Sequence, residues 1–187
     1  MNELNNLVSI VIPIFNESES IELLTKEIIN VMNSNNLNFE LILVNDGSKD
    51  STLQILNKLS LNIKELKVLN LRKNYGQTAA MAAGFDYTNG EIIISLDGDL
   101  QNDPNDIPKL IQTIKEGYDL VCGWRFERKD KLISRRIPSK IANKLIGFVT
   151  GINLHDYGCS LKAFKKAIVK DIKLYGELHR FLPILAN

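Results

Sequence analysis

The alternation of apolar and polar positions along the chain predicts five strands separated by helices. Each predicted strand is a short run of β-branched and other apolar residues, bounded by polar or turn-forming positions. The strands cover residues 8–13, 39–44, 67–71, 91–96 and 120–123. Helical spacing of apolar residues, or a high alanine content, predicts helices over residues 20–32, 51–59, 78–86 and 104–116. A capping box of Ser51 and Gln54 would begin the second helix.

Strands that alternate with helices of this length are typical of an α/β fold, with a parallel sheet and helices on both faces. In such a sheet, ligands bind in the crevice at the carboxyl ends of the strands. Polar clusters directly follow four of the predicted strands, at Asn16-Glu17, Asp46-Gly47-Ser48, Arg72 to Gln77 and Asp97 to Gln101. We therefore expect one shared site at this edge of the sheet.

The acidic residues Asp97 and Asp99 follow the fourth predicted strand, with Gly98 between them. In an extended segment, residues two apart project to the same side, so both carboxylates can face one small volume. Mg²⁺ and Mn²⁺ bind one or two protein carboxylates and complete their shells with water and substrate phosphate oxygens. Taken alone, the stretch favours a polar turn in which Asp103 and Pro104 cap the next helix. Its place among the four polar clusters at one edge of the sheet favours a metal site instead, with a diphosphate as the further ligand.

Size and composition are those of one ordinary globular domain. The 187 residues, 44% hydrophobic and 24% charged, fit a single domain over residues 1–187, and the net charge of +1 indicates no class of partner. Cys122 and Cys159 form no metal-like pair and cannot make a disulfide framework, which favours a reducing compartment. The first residues do not resemble a secretory signal, and no apolar run approaches the roughly 18 residues that span a bilayer. We expect a chain that can contact a membrane without crossing it.

The phosphate-binding fingerprints of two large nucleotide-binding classes are absent from the sequence. It contains neither G-x-x-x-x-G-K-[ST] nor G-x-G-x-x-G after the first strand, which argues against a P-loop hydrolase and a Rossmann dehydrogenase. Paired carboxylates with a metal ion bind phosphate in another way, because the ion offsets the charge that develops on a departing diphosphate. That chemistry is typical of transfer from an activated sugar.

A basic segment with an apolar stripe covers residues 125–150. Between Arg125 and Lys144 there are eight basic and two acidic residues, and apolar residues recur at helical spacing at Ile141, Leu145, Phe148 and Val149. A basic amphipathic helix lies well on an anionic membrane surface, but its stripe can equally pack on the protein core. Few aromatic residues are interleaved with the charges, so we expect no nucleic-acid partner.

Motifs near the ends of the first four strands resemble those of the family 2 glycosyltransferases. They are Pro13-Ile14-Phe15-Asn16-Glu17, Val44-Asn45-Asp46-Gly47-Ser48-Lys49-Asp50-Ser51-Thr52, Asn74-Tyr75-Gly76-Gln77 and Asp97-Gly98-Asp99-Leu100-Gln101. Residues 154–163 and 175–181 are similar to the polyprenyl-phosphate glycosyltransferases, the group that includes dolichol-phosphate mannose synthase and bacterial undecaprenyl-phosphate sugar transferases. The resemblance implies the GT-A fold, a Rossmann-like, mostly parallel sheet with helices on both faces.

The resemblance also implies which residues bind a nucleotide sugar such as a UDP- or GDP-sugar. The donor would be bound by Pro13, Phe15, Glu17, Asp46, Asp97 and Gln101. The metal ion, Mg²⁺ or Mn²⁺, would be held by Asp97, Asp99 and Gln101. From the local sequence alone, Asp46 is as typical of an Asp-Gly turn, and Glu17 of a solvated acid at a helix start.

On the acceptor side, the resemblance implies a polyprenyl phosphate, dolichyl or undecaprenyl, bound by Arg125 and Arg128. Its phosphate oxygen would attack the anomeric carbon as the diphosphate departs, and this single displacement inverts the anomeric configuration. A strong base is not essential, because the second pKa of a phosphate monoester is about 6. Asp156 matches the position of a base or orienting carboxylate. The predicted catalytic residues are thus Asp97, Asp99, Asp156 and Arg125.

Members of this family continue beyond the equivalent of the last residue here, so we expect C-terminal segments of the family to be missing from this chain. We expect it at the cytoplasmic face of a membrane, and the sequence leaves a homo-oligomer open. Three other functions also stay open. These are transfer to a saccharide or protein acceptor, nucleotidyl transfer onto a sugar phosphate, and nucleotide-sugar binding without turnover.

Overall fold

Strands and helices alternate along the computed structural model of the protein, which describes residues 7–124, 156 and 158–171. The strands are β1 (Val8–Ile14), β2 (Phe39–Asn45), β3 (Leu66–Asn70), β4 (Ile92–Ser95), β5 (Leu120–Cys122) and β6 (Lys162–Lys165). The helices are α1 (Ile21–Ser34), α2 (Thr52–Asn62), α3 (Gln77–Asp86), α4 (Ile107–Lys115), which follows a 3-10 turn at Pro104–Asp106, and α5 (Lys166–Asp171). The five strands and the four helices predicted within residues 8–123 are all present, with bounds within three residues of the prediction.

The strands of the described residues form one sheet in the order β3-β2-β1-β4-β6-β5. The pairs β1–β2, β1–β4 and β2–β3 are parallel, whereas β6 runs antiparallel to both β4 and β5. Every residue of β1 and β2 is buried, which agrees with their mostly apolar sequences and with helices on both sides. The prediction of a mostly parallel sheet is confirmed, but the sequence analysis did not predict β6.

Helices cover both faces of the sheet, because alternate residues of each strand point to opposite sides. On one face, Ile10 and Leu41 belong to the core that includes residues of α1, α2 and α4. On the other face, Val11 and Ile42 belong to a second core with residues of α3 and α5. Helix α3 lies very close to β1, since a Cβ added at Gly84 would overlap the side chain of Val11. None of the helices in the described residues is both long and apolar enough for a membrane span.

The amino ends of the strands are joined by the carboxylate of Glu40, which is 6% exposed. It accepts hydrogen bonds from Ser9 Oγ (2.6 Å), Lys67 Nζ (2.6 Å) and the backbone N–H of Asn89 (2.6 Å). Burial raises the pKa of Glu40, but the hydrogen bonds from these three residues outweigh it and lower the pKa from 4.5 to about 2. The opposite edge of the sheet, at the carboxyl ends, holds the candidate site.

Candidate functional site

A cleft of about 320 Å³ opens at the carboxyl edge of the sheet. Its walls come from the segments that follow β1, β2, β3 and β4, and its lining residues are Pro13, Ile14, Phe15, Glu17, Asp46, Asn74, Gln77, Asp97, Gly98 and Asp99. The four polar clusters that follow predicted strands therefore meet at one cleft. The topology explains this, because β1, β2, β3 and β4 are parallel neighbours whose carboxyl ends lie at the same edge.

Hydrogen bonds join the loop after β1 to the loop after β2. Asn16 has a φ of +57°, a conformation that asparagine adopts more readily than most residues. Its backbone N–H donates to Ser48 Oγ (2.9 Å), and its side-chain Oδ1 accepts from the Lys49 N–H (2.8 Å). The backbone N–H of Glu17 donates to Thr52 Oγ1 (2.9 Å). These contacts fix the wall of the cleft that contains Phe15 and Glu17, two of the residues predicted to bind the nucleotide sugar.

The predicted capping box at the start of α2 is wrong, because Ser51 makes no side-chain cap bond. Asp50 takes that role and accepts from the N–H groups of Thr52 (3.0 Å) and Ser18 (3.3 Å). Burial raises the pKa of Asp50, but its bonds with these residues outweigh that effect and lower the pKa to about 2. Helix α2 thus begins where predicted, but it is capped by Asp50 and not by Ser51. The bond from Ser18 to Asp50 also links the loop after β1 to the loop after β2.

Phe15 and Glu17, two of the residues predicted to bind the donor, line the cleft together with Pro13. Phe15 is 41% exposed, so its ring presents apolar surface to a ligand. The carboxylate of Glu17 accepts from Ser20 Oγ at 2.6 Å. A Cβ added at Gly98 would lie 3.5 Å from Glu17 Cγ, so Glu17 reaches over the backbone between the two aspartates.

Asp46 is 3% exposed and holds the loop that follows β3. Its two carboxylate oxygens accept the backbone N–H groups of Tyr75 and Gly76, each at 2.8 Å. Gly47 allows this approach, because its φ is +68° and an added Cβ would lie 2.6 Å from the backbone nitrogen of Asn74. A carboxylate oxygen can accept more than one hydrogen bond, so Asp46 can hold this loop and still accept from a ligand.

Asp97 is held from the first residue of α3. Gln77 Nε2 donates to Asp97 Oδ1 at 2.5 Å, and both residues line the cleft. Asp99 is exposed, and its Oδ1 accepts the backbone N–H of Gln101 at 3.1 Å. Gln101 is itself exposed and is not among the residues that line the cleft. Sequence reasoning assigned no role to Gln77, although the motif Asn74-Tyr75-Gly76-Gln77 contains it.

The alternative explanation of the acidic stretch is also realised in the structure. Asp103 Oδ1 accepts the backbone N–H of Asn105 at 2.9 Å, and Pro104 begins the 3-10 turn before α4. This turn does not involve Asp97 or Asp99, which line the cleft. The cap and the acidic pair therefore coexist in one segment.

Behind the acidic pair lies a buried lysine that sequence reasoning did not single out. Lys162 is 3% exposed, and its Nζ donates to the backbone carbonyl of Cys159. Burial lowers the pKa of the Lys162 ammonium, while the negative charges of Asp97 and Asp156 oppose that shift. Asp156 is 6% exposed, and its Oδ1 accepts the N–H of Gly158 at 3.1 Å. The structure thus places Asp156 and Asp97 within electrostatic range of one buried cation.

The predicted acceptor residues Arg125 and Arg128, and the basic segment 125–150, lie outside the described residues. Their roles stay predictions. The last described residue before this segment is Trp124, which follows β5 and is 55% exposed.

The described residues fit a divalent ion that shares its shell with a substrate. Among them, no group of three acidic, histidine or cysteine side chains could hold a metal ion by itself. Two carboxylates, from Asp97 and Asp99, are what Mg²⁺ or Mn²⁺ takes when phosphate oxygens and water fill the other positions. The cleft is therefore suited to an ion that arrives with a diphosphate.

A profile of Glycosyl transferase family 2 matches residues 9–173. The chain belongs to this family. The matched range includes every residue that lines the cleft, and it extends through the predicted acceptor segment to the end of α5. The resemblance seen in the motifs is thereby confirmed.

The chain is similar to bacterial proteins named for polyprenyl-phosphate sugars. It is 49% identical over 178 residues to dodecaprenyl-phosphate galacturonate synthase of Rhizobium johnstonii, covering 94% of this chain and 53% of the relative. It is 43% identical over 181 residues to undecaprenyl-phosphate 4-deoxy-4-formamido-L-arabinose transferase of Photorhabdus laumondii, covering 96% of this chain and 55% of the relative. The chain thus spans about half the length of these relatives.

Solved structures share the fold at low sequence identity. Glucosyl-3-phosphoglycerate synthase of Mycobacterium tuberculosis, in complex with Mn²⁺ and UDP-glucose, matches 90% of this chain and 59% of its own, with a TM-score of 0.69 and 20% identity. The mannosyltransferase PcManGT of Pyrobaculum calidifontis, in complex with GDP-mannose and Mn²⁺, matches 90% of this chain and 47% of its own, with a TM-score of 0.64 and 17% identity. These neighbours are GT-A glycosyltransferases, and the predicted fold class is confirmed.

Proposed function

We propose that the chain forms the donor-binding part of a metal-dependent, inverting glycosyltransferase that makes a polyprenyl-phosphate sugar. One observation carries the proposal, namely that Asp46, Asp97 and Asp99 meet in one cleft at the carboxyl edge of the sheet. The names of the relatives, which specify dodecaprenyl or undecaprenyl phosphate, support this acceptor class. Two structural neighbours hold Mn²⁺ together with a nucleotide sugar, which supports the metal and the donor class.

On the donor side, Phe15, Glu17 and Asp46 would bind the base and ribose, and the diphosphate would lie beside Asp97. Mg²⁺ or Mn²⁺, held by Asp97 and Asp99 with Gln101 as the further predicted ligand, would offset the charge that develops on the leaving diphosphate. Gln77 would keep the Asp97 carboxylate turned toward the cleft through its hydrogen bond to Oδ1.

On the acceptor side, Arg125 and Arg128 would bind the phosphate of the polyprenyl chain. One oxygen of that phosphate attacks the anomeric carbon, and the bond from this carbon to the diphosphate oxygen breaks with its electron pair. The nucleoside diphosphate leaves, and the anomeric configuration is inverted. Asp156 would orient the attacking group. Because the proposed acceptor is a lipid, we expect the reaction at a membrane surface. The cytoplasmic face is the side expected from the sequence analysis.

The test is a transfer assay with labelled UDP- and GDP-sugars and undecaprenyl phosphate in detergent, with Mn²⁺ or with EDTA. We expect a lipid-linked sugar and free nucleoside diphosphate only when metal is present. Asp99→Asn should lower the rate by at least about 100-fold, since several kcal/mol of charge stabilisation would be lost. Asp103→Asn is the matched control, because Asp103 is an exposed acid of the same segment that caps a turn outside the cleft.

Other outcomes would refute the proposal in distinct ways. Product formed only on a soluble saccharide or protein would move the enzyme to another acceptor class. Release of pyrophosphate would indicate nucleotidyl transfer onto a sugar phosphate. Metal-dependent donor binding without any turnover would leave a nucleotide-sugar-binding fragment, and equal donor affinity with and without chelator would remove the metal site.

A further inference from the structure

The segment before β6 supports the loop that carries the acidic pair. Ser160 Oγ accepts two hydrogen bonds, from the backbone N–H of Asp97 at 3.3 Å and from Asn102 Nδ2 at 2.7 Å. The backbone carbonyl of Ser160 accepts from Ser95 Oγ at 3.0 Å. One residue, 58 positions after Asn102 in sequence, therefore contacts both ends of the loop from Asp97 to Asn102.

This loop does not hold its shape through local preference alone. Leu100 lies in the left-handed region with a φ of +60°, which apolar residues other than glycine rarely adopt. Between the two ends of the loop, the hydrogen bond at Asp99 is local in sequence, because the Asp99 carboxylate accepts the backbone N–H of Gln101, two residues later. The long-range contacts are at the ends, where Asn102 is 9% exposed and its Oδ1 also accepts from Cys159 Sγ at 3.5 Å.

The position of Ser160 is itself well fixed. Lys162, two residues later, begins β6 and pairs with Ser95 of β4 in the antiparallel register. Ser160 is not among the residues that line the cleft, so it can affect a ligand there only through the loop. Both lone pairs of its hydroxyl are used as acceptors, a capacity that alanine lacks and threonine keeps.

We infer that Ser160 is a positioning residue that closes the loop Asp97 to Asn102 and so sets the carboxylates of Asp97 and Asp99 for a divalent ion. The inference rests on the proposed function, because it takes the acidic pair as the metal site. Residues that orient metal ligands from outside the coordination shell typically change metal affinity by about 10–100-fold when they are removed. Ser160→Ala should lie at the lower end of that range, because the ligands themselves stay in place.

The first measurement needs no metal. Amide hydrogen exchange of the peptide that contains residues 97–102 is compared between the wild type and the variants Ser160→Ala and Ser160→Thr. We expect exchange about fivefold to tenfold faster in Ser160→Ala, since two hydrogen bonds that restrain the loop are lost, and near wild-type exchange in Ser160→Thr. Ser60→Ala is the control, because Ser60 donates to a backbone carbonyl on α2, away from the cleft.

The second measurement is titration with Mn²⁺ in the presence of UDP or GDP, because the proposed ion shares its shell with a diphosphate. Free Mn²⁺ is read by electron paramagnetic resonance, and nucleotide without protein is the blank. We expect Ser160→Ala to weaken binding about tenfold, Ser160→Thr to restore it, and Asp99→Asn to abolish it. If the wild type binds no Mn²⁺, the proposed metal site is refuted. The exchange data still test whether Ser160 restrains residues 97–102. If Asp99→Asn loses the metal but Ser160→Ala matches the wild type in both measurements, the inference on Ser160 is overturned. Faster exchange across the whole chain in Ser160→Ala would show a general loss of stability and would also count against it.

Discussion

Buried acidic side chains lie at both edges of the sheet, but their partners differ. At the amino edge, Glu40 is surrounded by donors from the protein itself, from Ser9, Lys67 and Asn89. Its bonds are thus internal, and we assign it a structural role. At the carboxyl edge, Asp46 binds two backbone N–H groups and still borders the cleft. Similar burial therefore accompanies the structural role that we assign to Glu40 and the ligand-binding role that we propose for Asp46.

Replacement of Glu40 by glutamine should lower the free energy of unfolding by about 2 kcal/mol at pH 7, because the ion pair with Lys67 is lost and buried donors lose an acceptor. The folded pKa of about 2 lies below the unfolded value near 4.5. The stabilisation from Glu40 is therefore complete above pH 4.5 and is lost as the pH falls toward 2. Urea unfolding of the wild type and Glu40→Gln at several pH values measures the difference, which should shrink below pH 4.5.

The control for this series is Glu22→Gln. Glu22 forms an exposed pair with Lys26 one helical turn away in α1, at 2.7 Å. We expect its replacement to leave the unfolding midpoint almost unchanged, since exposed pairs of this kind contribute little. A Glu40→Gln protein as stable as the wild type at pH 7, or a difference that grows with acidity, would contradict the structural role of Glu40.

At the level of elements, the sequence predicts what is locally encoded. Strands β1 and β2 are mostly apolar runs, and α1 has apolar residues at helical spacing, so each is recognised without knowledge of its neighbours. Strand β6 is only Lys162-Ala163-Phe164-Lys165, two apolar residues between lysines, and its place depends on pairing with β4 and β5. No local pattern specifies such a pairing, and this is why the antiparallel strand was not predicted.

The same distinction applies to the site. Asp46, Asp97 and Asp99 were predicted because each follows a strand and the carboxyl ends of parallel strands share one edge. Ser160 is hydrogen-bonded to residues about sixty positions earlier in the chain, and Lys162 lies within electrostatic range of Asp97; such relations leave no trace in the spacing of residues. Sequence reasoning thus identifies the groups that face a ligand, whereas the residues that hold them require the structure.

The contact between the loops after β2 and β3 gives a prediction at this scale. In Gly47→Ala, the added Cβ would lie 2.7 Å from Lys73 Cα and 2.6 Å from Asn74 N, and these backbone atoms can move only if the loop moves. We expect a loss of about 1–3 kcal/mol in stability and a clear loss of donor affinity, because Asn74 and Gln77 line the cleft. Isothermal titration with the donor nucleotide and urea unfolding measure the two effects.

Gly117→Ala is the matched control for the loop contact. Gly117 also has a positive φ, +118°, but a Cβ there would meet no atom within 4 Å. The control should lose stability through backbone strain alone and keep its affinity for nucleotide. Equal donor affinity in Gly47→Ala and the wild type would show that the loop after β3 takes no part in donor binding.

At the scale of the whole molecule, the residues predicted to bind the donor and those predicted to bind the acceptor come from different parts of the chain. Every described residue that lines the cleft lies between Pro13 and Asp99, whereas the predicted acceptor residues come later in the chain. The chain spans about half the length of these curated relatives, and every described residue that lines the cleft precedes the predicted acceptor residues. Donor binding and transfer should therefore respond separately to substitution.

Thermal unfolding with a panel of nucleotide sugars, each with Mn²⁺ or EDTA, tests this separation. A ligand at 100 times its dissociation constant stabilises the folded state by about 2.7 kcal/mol, which for a domain of this size raises the melting temperature by about 5–10 °C. We expect that shift for the correct donor with Mn²⁺, and little shift with EDTA or in Asp97→Asn. Arg128→Ala should keep the shift but lose transfer to undecaprenyl phosphate, because its predicted contact is with the acceptor. Loss of the donor shift in Arg128→Ala would place this arginine at the donor instead, and the two halves of the site would then not be separable along the chain.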